Sequence, residues 1–286
     1  MTRCQIEWLA PAKLNLFLHV VGRRADGYHL LQTAFRFLDY GDSLSFVPRD
    51  DGRILLATPL PNVAPQQDLT VRAAQLLQQQ AANLRQGVEI RLNKRLPLGG
   101  GLGGGSSDAA TVLLALNRLW GLQLSSAELQ QLGLELGADV PIFIHGHAAF
   151  AEGVGERFTD LHLPPAWYLV LIPPVAVPTA EIFASSELRR DTPAIAAADW
   201  QPGMGSNDLE AVACRLYPAV AQYLAWLRQF GQARMSGSGA CVFVEFATAA
   251  AARAAYAALP QEMKGFVARG IDRNPALAQA AGAALS

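Results

Sequence analysis

Cysteine is scarce in this 286-residue sequence, and the three that occur, Cys4, Cys214 and Cys241, lie far apart. They form no CxxC pair and no spacing typical of metal ligands, which argues against a disulfide framework. The first residues of the sequence also lack the apolar segment of a signal peptide. We therefore expect a protein of a reducing compartment, the cytoplasm.

Charge is sparse as well: Asp, Glu, Lys and Arg make up 16% of the sequence, against about 25% in an average soluble protein. The net charge is −1, without a basic excess, which disfavours a nucleic-acid partner. A long apolar run is missing too. The longest stretch, residues 167–178, contains three prolines and is shorter than the roughly 20 residues of a membrane span. The sequence predicts a soluble protein without nucleic-acid or membrane partners.

Hydrophobic residues, in contrast, make up 51% of the sequence, which excludes a disordered chain and supports a large core. The length suits about two domains of roughly 100–200 residues each. Strand-like and helix-like segments mix in both halves without regular β-α-β alternation, so we predict an α+β fold. We place the boundary near residue 160, which gives an N-terminal domain, 1–160, and a C-terminal domain, 161–286.

Hydrophobic periodicity and turn signals indicate the secondary structure. The predicted strands cover residues 6–21, 34–38, 42–48, 52–57, 88–92, 142–144, 148–151, 168–172, 240–246 and 265–268. The predicted helices cover residues 68–84, 107–120, 125–136, 208–215, 219–229 and 248–258. The alanine-rich stretch 276–284 is also typical of a helix. Tyr40, Gly41 and Asp42 are interpreted as a turn between two strands, and Ser125 with Glu128 forms a capping-box pattern.

A glycine-rich loop lies between the predicted strand 88–92 and the predicted helix 107–120, with six glycines in the seven positions 99–105. Such a loop lets backbone N–H groups approach an anion at the positive end of a helix. We predict a phosphate site here, with a purely structural loop as the alternative. The predicted residues are Pro97, Leu98, Gly99, Gly100, Gly101, Leu102, Gly103, Gly104, Gly105, Ser106 and Ser107. The two serine hydroxyls are placed to reach phosphate oxygens or a magnesium ion.

Two common phosphate motifs do not fit this loop. Gly99, Gly101 and Gly104 match the spacing of a dinucleotide-binding loop, but a second capped helix follows where that fold needs a strand. The Walker A motif needs a lysine after its last glycine, and Gly105 stands at that position. The sequence therefore indicates another class of phosphate-binding protein.

Lys13 and Asp139 are two charged residues in apolar surroundings. Taken alone, Lys13 is typical of the exposed face of a strand, and Asp139 is typical of a turn or a helix cap. Phosphoryl transfer to an alcohol, however, needs a phosphate-binding loop, a carboxylate that takes the hydroxyl proton, and a cation near the transferred group. With the glycine loop, the two residues become candidates for this chemistry.

Three motifs occur in order along the chain: residues 11–16 (PAKLNL), residues 97–107 (PLGGGLGGGSS) and residues 235–240 (MSGSGA). With them the sequence resembles the GHMP kinase superfamily of small-molecule ATP kinases. Further stretches, at residues 22–29, 37–42, 137–141 and 153–156, resemble the branch that phosphorylates the 2-hydroxyl of a cytidine diphosphate-linked alcohol for isoprenoid precursors. The resemblance implies a two-domain α+β GHMP kinase fold, an active site in the cleft between the domains, ATP as phosphoryl donor and Mg²⁺.

The resemblance also implies roles for single residues. Asp139 would be the general base, and Lys13 would be its cationic neighbour. Asn15, on the face of the predicted strand that carries Lys13, is a candidate substrate contact. The cytosine of the acceptor would stack on Tyr28 and Phe183, while His29 would read its hydrogen-bonding edge. Two alternatives stay open: a GHMP kinase with a smaller acceptor, such as homoserine or a mevalonate derivative, and a nucleotide-binding sensor without turnover.

Overall fold

The structure is a computed structural model that describes residues 6–61, 63–80 and 86–282. The strands in these ranges are β1 (Trp8–Arg23), β2 (His29–Arg49), β3 (Ile54–Leu56), β4 (Gly87–Asn93), β5 (Ala149–Gly153), β6 (Arg157–Asp160), β7 (Trp167–Leu171), β8 (Arg234–Met235), β9 (Val242–Phe246) and β10 (Gly265–Ile271). The helices are α1 (Leu69–Gln79), α2 (Gly104–Leu119), α3 (Ser126–Leu136), α4 (Val140–His145), α5 (Thr179–Ala184), α6 (Glu210–Leu216), α7 (Pro218–Leu227), α8 (Ala249–Ala257) and α9 (Pro275–Ala280). In the part of the chain so described, no helix has the length and apolar character needed to cross a bilayer.

One sheet runs through both halves of the chain, in the order β3-β4-β2-β10-β7-β9-β8. β1 also pairs with β2, and β5 pairs with both β2 and β6. The β3–β4 pair is parallel, whereas β2 pairs antiparallel with β1, β4, β5 and β10. The mixture of this sheet with helices in both halves confirms the predicted α+β class.

Three apolar clusters hold the elements together. In the first, α1 to α4 pack around Phe37, Leu113 and Phe143. In the second, helices of the later half pack on β7 and β9, around residues such as Leu224. The third joins side chains of β1 and β2 to those of β7, β9 and β10, with Tyr168 fully buried.

The predicted division into two domains at residue 160 stays a prediction.

α9, the last helix of the described chain, packs on the first half of the molecule rather than on the second. It packs against β1 and α2, and Ala276 is fully buried in the first cluster. Asn274, just before this helix, donates a hydrogen bond from Nδ2 to the carbonyl oxygen of Phe143 at 2.7 Å. The alanine-rich stretch 276–284 predicts helix, and this prediction is confirmed for the part of it that α9 covers; residues 283 and 284 lie outside the described residues.

Helix ends follow the sequence chemistry closely. The predicted capping box is confirmed at the start of α3: the Glu128 amide donates to Ser125 Oγ at 3.3 Å, and the Ser125 amide donates to the Glu128 carboxylate at 2.8 Å. Asp68 caps α1 by accepting from the Thr70 amide. α2 begins three residues earlier than predicted, because Gly103 adopts a left-handed conformation, with φ +71°, that turns the loop into the helix.

Two local predictions are wrong. The predicted strand at residues 142–144 is part of the helix α4, because a short buried apolar run does not distinguish strand from helix. Pro141 in its first turn is a residue that favours a helix start. The predicted turn at residues 40–42 is absent, because β2 continues through it. A side chain on Gly41 would overlap the Ala10 carbonyl oxygen of β1, so close strand packing explains this glycine.

Candidate active site

A cavity of about 460 Å³ lies where the three sequence motifs meet. β1 contributes Lys13 and Asn15 to its wall, and the start of α4 contributes Asp139. The glycine loop forms a second side. Gly237, Ser238 and Gly239, on the turn between β8 and β9, line it from the later half of the chain.

Lys13 is a buried cation rather than a surface residue, since its side chain is only 2% exposed. Its ammonium Nζ donates to Asn15 Oδ1 at 2.5 Å and to the Gly101 carbonyl oxygen at 3.1 Å. It also lies 3.2 Å from Asp139 Oδ2 and 5.5 Å from the centre of the Phe35 ring. These partners offset the cost of removing the charge from water.

Asp139 is the open member of the pair, with a side chain 40% exposed. It occupies the position before α4, where aspartates commonly cap a helix, but its carboxylate turns to Lys13. The carboxylate therefore faces both the buried cation and the space of the cavity. This combination suits proton transfer to or from a ligand.

Asn15 holds Lys13 in place through a chain of buried hydrogen bonds. While Oδ1 accepts from Lys13, Nδ2 donates to Thr33 Oγ1 at 2.9 Å, and that hydroxyl donates to the Phe17 carbonyl oxygen. The Asn15 backbone amide donates to Ser236 Oγ at 3.2 Å. Asn15 also lines the cavity, but its side chain is 3% exposed and both of its polar atoms already have protein partners, so the substrate contact stays a prediction.

The glycine loop packs directly against the β8–β9 turn. Ser236 Oγ donates to the Gly101 carbonyl oxygen at 2.9 Å, and the Cys241 amide donates to the Gly100 carbonyl oxygen at 3.0 Å. A side chain on Gly101, whose φ is +75°, would overlap the carbonyl oxygen of Ser236. The loop thus needs glycine both for its conformation and for this close approach.

Most of the predicted loop residues line the cavity. They are Pro97, Leu98, Gly99, Gly100, Gly101, Gly103, Gly104, Gly105 and Ser106. Leu102 and Ser107 do not, because both side chains lie in the interior, at 1% and 0% exposure. The Ser107 hydroxyl is therefore not placed to reach a phosphate. The start of α2 faces the cavity through Gly104 and Ser106, as an anion site at a helix N-terminus requires.

Below this loop lies a buried cluster of charges that the sequence reasoning missed. Lys94 Nζ lies 2.5 Å from Asp42 Oδ2 and 2.7 Å from Asp108 Oδ2. Asp42 Oδ1 also accepts from the amides of Arg95 and Leu96. Burial raises the pKa of Asp108 to about 8, although Lys94 acts in the opposite direction. The cluster ties the middle of β2 and the chain after β4 to α2.

Asn207 is a second residue that the sequence reasoning missed. Its side-chain Nδ2 donates to the carbonyl oxygens of Met235 and Gly237, both at 2.8 Å. Its Oδ1 accepts from the Leu209 amide at 2.9 Å. Asn207 thereby fixes the β8–β9 turn that closes the cavity. An asparagine shortly before the predicted helix 208–215 was a weak signal for such a role.

A second cavity, of about 940 Å³, adjoins the first and shares several lining residues with it: Leu31, Ala138, Val154, Thr179 and Phe183. The structure brings Tyr28, His29 and Phe183 together in its wall. The rings of His29 and Phe183 lie 4.9 Å apart between centres, at 30°. Tyr28 is 65% exposed and therefore open to a ligand.

Arg190 is another residue that the sequence reasoning missed. It contacts the His29 ring on its Nε2 side. Its Nε donates to His29 Nε2 at 3.0 Å. Burial lowers the pKa of His29, and the nearby charges of Arg190 and Arg23 lower it further. The ring is therefore neutral at pH 7.

Models of the two GHMP kinase domains match the chain. The "GHMP kinases N terminal domain" matches residues 68–147, and "GHMP kinases C terminal" matches residues 191–265. A crystal structure of homoserine kinase from Cytophaga hutchinsonii, 17% identical over 96% of both chains, shares the fold with a TM-score of 0.68. Fold and site together are those of a GHMP kinase, a small-molecule kinase.

Closer relatives show which family of GHMP kinases the chain belongs to. The chain is 63% identical over 269 residues to 4-diphosphocytidyl-2-C-methyl-D-erythritol kinase of Dechloromonas aromatica (strain RCB), covering 94% of this chain and 98% of the relative. The kinase of that name from Thiobacillus denitrificans is 63% identical, with 93% and 95% covered. A crystal structure of 4-(cytidine 5'-diphospho)-2C-methyl-D-erythritol kinase is 38% identical, covers 93% of this chain and 99% of its own, and has a TM-score of 0.79. The chain belongs to the 4-diphosphocytidyl-2-C-methyl-D-erythritol kinase family.

Proposed function

We propose that the protein transfers the γ-phosphoryl group of ATP to the 2-hydroxyl of 4-diphosphocytidyl-2-C-methyl-D-erythritol. The products are the 2-phosphate and ADP, in the non-mevalonate route to isoprenoid precursors. The observation that carries this proposal is the Lys13–Asp139 ion pair, 3.2 Å long, in a cavity lined by the glycine loop. The names of the relatives support the choice of acceptor.

In the proposed reaction, Asp139 takes the proton of the acceptor hydroxyl. A carboxylate is a weak base toward an alcohol, so the proton leaves readily only if the negative charge on oxygen is stabilised. Lys13 supplies a fixed positive charge beside the carboxylate, and its bonds to Asn15 and Gly101 keep it there. Because it is buried, its field is weakly screened by water and does not reorganise during the reaction.

The glycine loop and the N-terminus of α2 would hold the triphosphate. Gly103, Gly104 and Gly105 line the cavity at the start of this 16-residue helix, where backbone N–H groups lack intrahelical partners. Hydrogen bonds between the loop and the β8–β9 turn keep the amides in position. This arrangement favours the terminal phosphate facing Lys13 and Asp139.

Magnesium is part of the proposal. The described residues contain no group of three or more His, Cys, Asp or Glu arranged for a metal ion. The Ser106 hydroxyl, however, lines the cavity near the start of α2. Mg²⁺ usually takes one or two protein oxygens, with phosphates and water as the rest, so Ser106 would supply one of them. When bound, the ion would neutralise charge on the phosphates.

The larger cavity favours an extended acceptor over homoserine or mevalonate. Its volume of about 940 Å³ adds to the catalytic cavity, and its wall carries Tyr28, His29 and Phe183. Aromatic faces and a hydrogen-bonding ring suit a nucleobase. We assign the cytosine to this cavity, with Tyr28 and Phe183 as stacking partners and His29 at its edge.

Two further parts of the proposal concern the whole chain. A cytoplasmic location agrees with Cys214 and Cys241, both free thiols in the structure. A division into domains 1–160 and 161–286 agrees with the two matched domain models, which fall on either side of residue 160.

A coupled assay of ADP release tests this function. The cytidine diphosphate substrate, homoserine and mevalonate are compared under the same conditions with ATP and Mg²⁺. We expect sustained turnover with the cytidine substrate alone. Turnover with homoserine or mevalonate at a similar kcat/KM would overturn the acceptor assignment. ATP binding without turnover on any acceptor would instead indicate a nucleotide sensor.

A further inference from the structure

The guanidinium of Arg190 makes four hydrogen bonds, two of them to His29 and Phe183, which line the larger cavity. Its Nη1 donates to the Leu188 carbonyl oxygen at 2.9 Å. Its Nη2 donates to the carbonyl oxygens of Phe183 at 2.9 Å and Ser185 at 2.7 Å. Its Nε donates to His29 Nε2 at 3.0 Å. Since three carbonyl oxygens, at the end of α5 and in the residues just after it, hold the planar guanidinium, Arg190 cannot turn away from His29.

This contact determines which nitrogen of His29 carries the proton. Every guanidinium nitrogen of arginine donates hydrogen bonds and none accepts them. His29 Nε2 must therefore present its lone pair to Arg190, and the neutral ring carries its proton on Nδ1. Burial and the two arginines keep the pKa of His29 low, so a second proton on Nε2 is disfavoured. The Phe183 ring packs against the imidazole and holds its plane.

A histidine that donates from Nδ1 can distinguish cytosine from uracil. The ring nitrogen N3 of cytosine is a hydrogen-bond acceptor, whereas N3 of uracil carries a hydrogen and donates. The Nδ1–H tautomer matches the cytosine edge and meets a second donor on uracil. The opposite tautomer would accept from uracil and leave the cytosine nitrogen unpaired. A buried polar group without a partner is what makes such discrimination strong.

We propose that Arg190 is a positioning residue that sets acceptor specificity by holding His29 in the Nδ1–H tautomer, so that the ring donates to N3 of a cytosine base. The inference rests on the proposed function, because it concerns the base of the proposed acceptor. It assigns Arg190 no contact with the reacting atoms. Arg190 also anchors the backbone of Phe183, so one side chain aligns both the stacking face and the hydrogen-bonding edge of the base site.

The tautomer is measured directly on the wild-type protein. Long-range proton–nitrogen NMR spectra of histidine-labelled enzyme distinguish the two neutral tautomers, and His29→Gln identifies the signal among the five histidines. We expect the proton on Nδ1 in the wild type and a shift toward Nε2–H in Arg190→Met. A wild-type ring with its proton on Nε2 would overturn the proposal without any need for a folded variant.

Kinetics with two acceptors provide the second measurement. The ratio of kcat/KM for the cytidine acceptor over its uridine analogue should fall at least about tenfold in Arg190→Met, with the KM for ATP unchanged. The neighbouring Arg189→Met is the control, because Arg189 is 60% exposed and pairs with Asp191. An equal loss for both acceptors would assign Arg190 a merely structural role and overturn the proposal. If the wild type uses neither acceptor, the proposed function fails, whereas the tautomer measurement still decides whether Arg190 controls His29.

Discussion

The ammonium of Lys13 lies 3.2 Å from the carboxylate of Asp139, yet the two side chains are 2% and 40% exposed. The pair therefore consists of a buried ammonium group and a partly exposed carboxylate that lines the cavity. The buried partner is held by Asn15 and Gly101, while the exposed partner is free to contact a ligand. Substitutions at the two positions should consequently differ in their effect on stability.

Asp139→Asn should lower kcat by roughly 10²–10⁴, because the amide keeps the shape of the side chain but cannot accept the hydroxyl proton. ATP affinity should change little. The urea midpoint should fall modestly, because the buried Lys13 ammonium keeps an oxygen partner but loses its counter-charge. Steady-state kinetics measure kcat, calorimetric titration measures ATP affinity, and urea unfolding measures stability. Asp191→Asn, in an ion pair at 86% exposure, is the control. Turnover above a tenth of the wild-type value would remove Asp139 from the role of base.

Lys13→Met should lower both turnover and stability. The thioether fills a similar space but leaves the buried Asn15 Oδ1 and Gly101 carbonyl oxygen without the ammonium donor. Unpaired buried acceptors cost roughly 1–3 kcal/mol each, so urea unfolding should show a larger loss of stability than in Asp139→Asn. An unchanged kcat in a folded Lys13→Met protein would contradict the catalytic role.

Gly101→Ala and Gly121→Ala form a matched pair, because both glycines have positive φ, at +75° and +66°. A methyl group on Gly121 meets no atom within 4 Å, so this change should cost only the backbone strain of roughly 1–2 kcal/mol. On Gly101 the methyl group overlaps the Ser236 carbonyl oxygen and displaces the loop. The KM for ATP should rise steeply in Gly101→Ala alone. Equal behaviour of the two variants would show that close packing of the loop does not matter for ATP binding.

Phe183→Ala should raise the KM for the cytidine acceptor roughly 5–150-fold, because stacking of one base on an aromatic ring contributes on the order of 1–3 kcal/mol. The KM for ATP should change much less, because Phe183 lies where the catalytic cavity joins the larger one and is not part of the glycine loop. Initial rates with each substrate varied in turn give both constants. A normal acceptor KM would leave the kinase function in place but remove the cytosine from this cavity.

Asp108 should make stability depend on pH. Its pKa is raised to about 8 by burial, so between about pH 4 and pH 8 the folded protein keeps a proton that the unfolded chain has lost. The stabilising contribution is complete below about pH 4 and is lost as the pH rises through 8. Urea unfolding between pH 6 and pH 8 should therefore show falling stability, by at most about 1.4 kcal/mol per pH unit for this group.

Asp108→Asn cannot ionise and should remove this slope, whereas the exposed Asp50→Asn should keep it. A slope that persists unchanged in Asp108→Asn would show that the buried carboxylate does not control it.

Sequence reasoning works best for features whose signal is local. The glycine loop stands out by itself, because six glycines in seven positions conflict with an ordinary loop. Lys13 and Asp139 became candidates only when the loop and the family resemblance were added. Arg190 and Asn207 escape this reasoning because they act on backbone carbonyls and on partners far away in the chain. His29, for example, lies 161 residues from Arg190. An arginine or an asparagine in a loop carries no local sign of such a partner.

The same limit explains the errors in the fold. Gly41 has the local pattern of a turn, but Ala10 of the neighbouring strand is the reason for the glycine. Ile142, Phe143 and Ile144 are all fully buried, so their apolar run has no polar face from which the period could be read. Helices with clear caps, such as α3, were predicted nearly to the residue, because their signal lies within four positions of the chain.

The return of α9 to the first half has a consequence for the order of events at the ribosome. Asn274 and Phe143 are joined by a hydrogen bond across 131 residues, and Ala276 fills the first apolar cluster. At roughly 5–20 residues per second, many seconds separate the synthesis of these two segments. The apolar surface of the first half that Ala276 covers in the folded protein therefore stays exposed on the nascent chain throughout that interval.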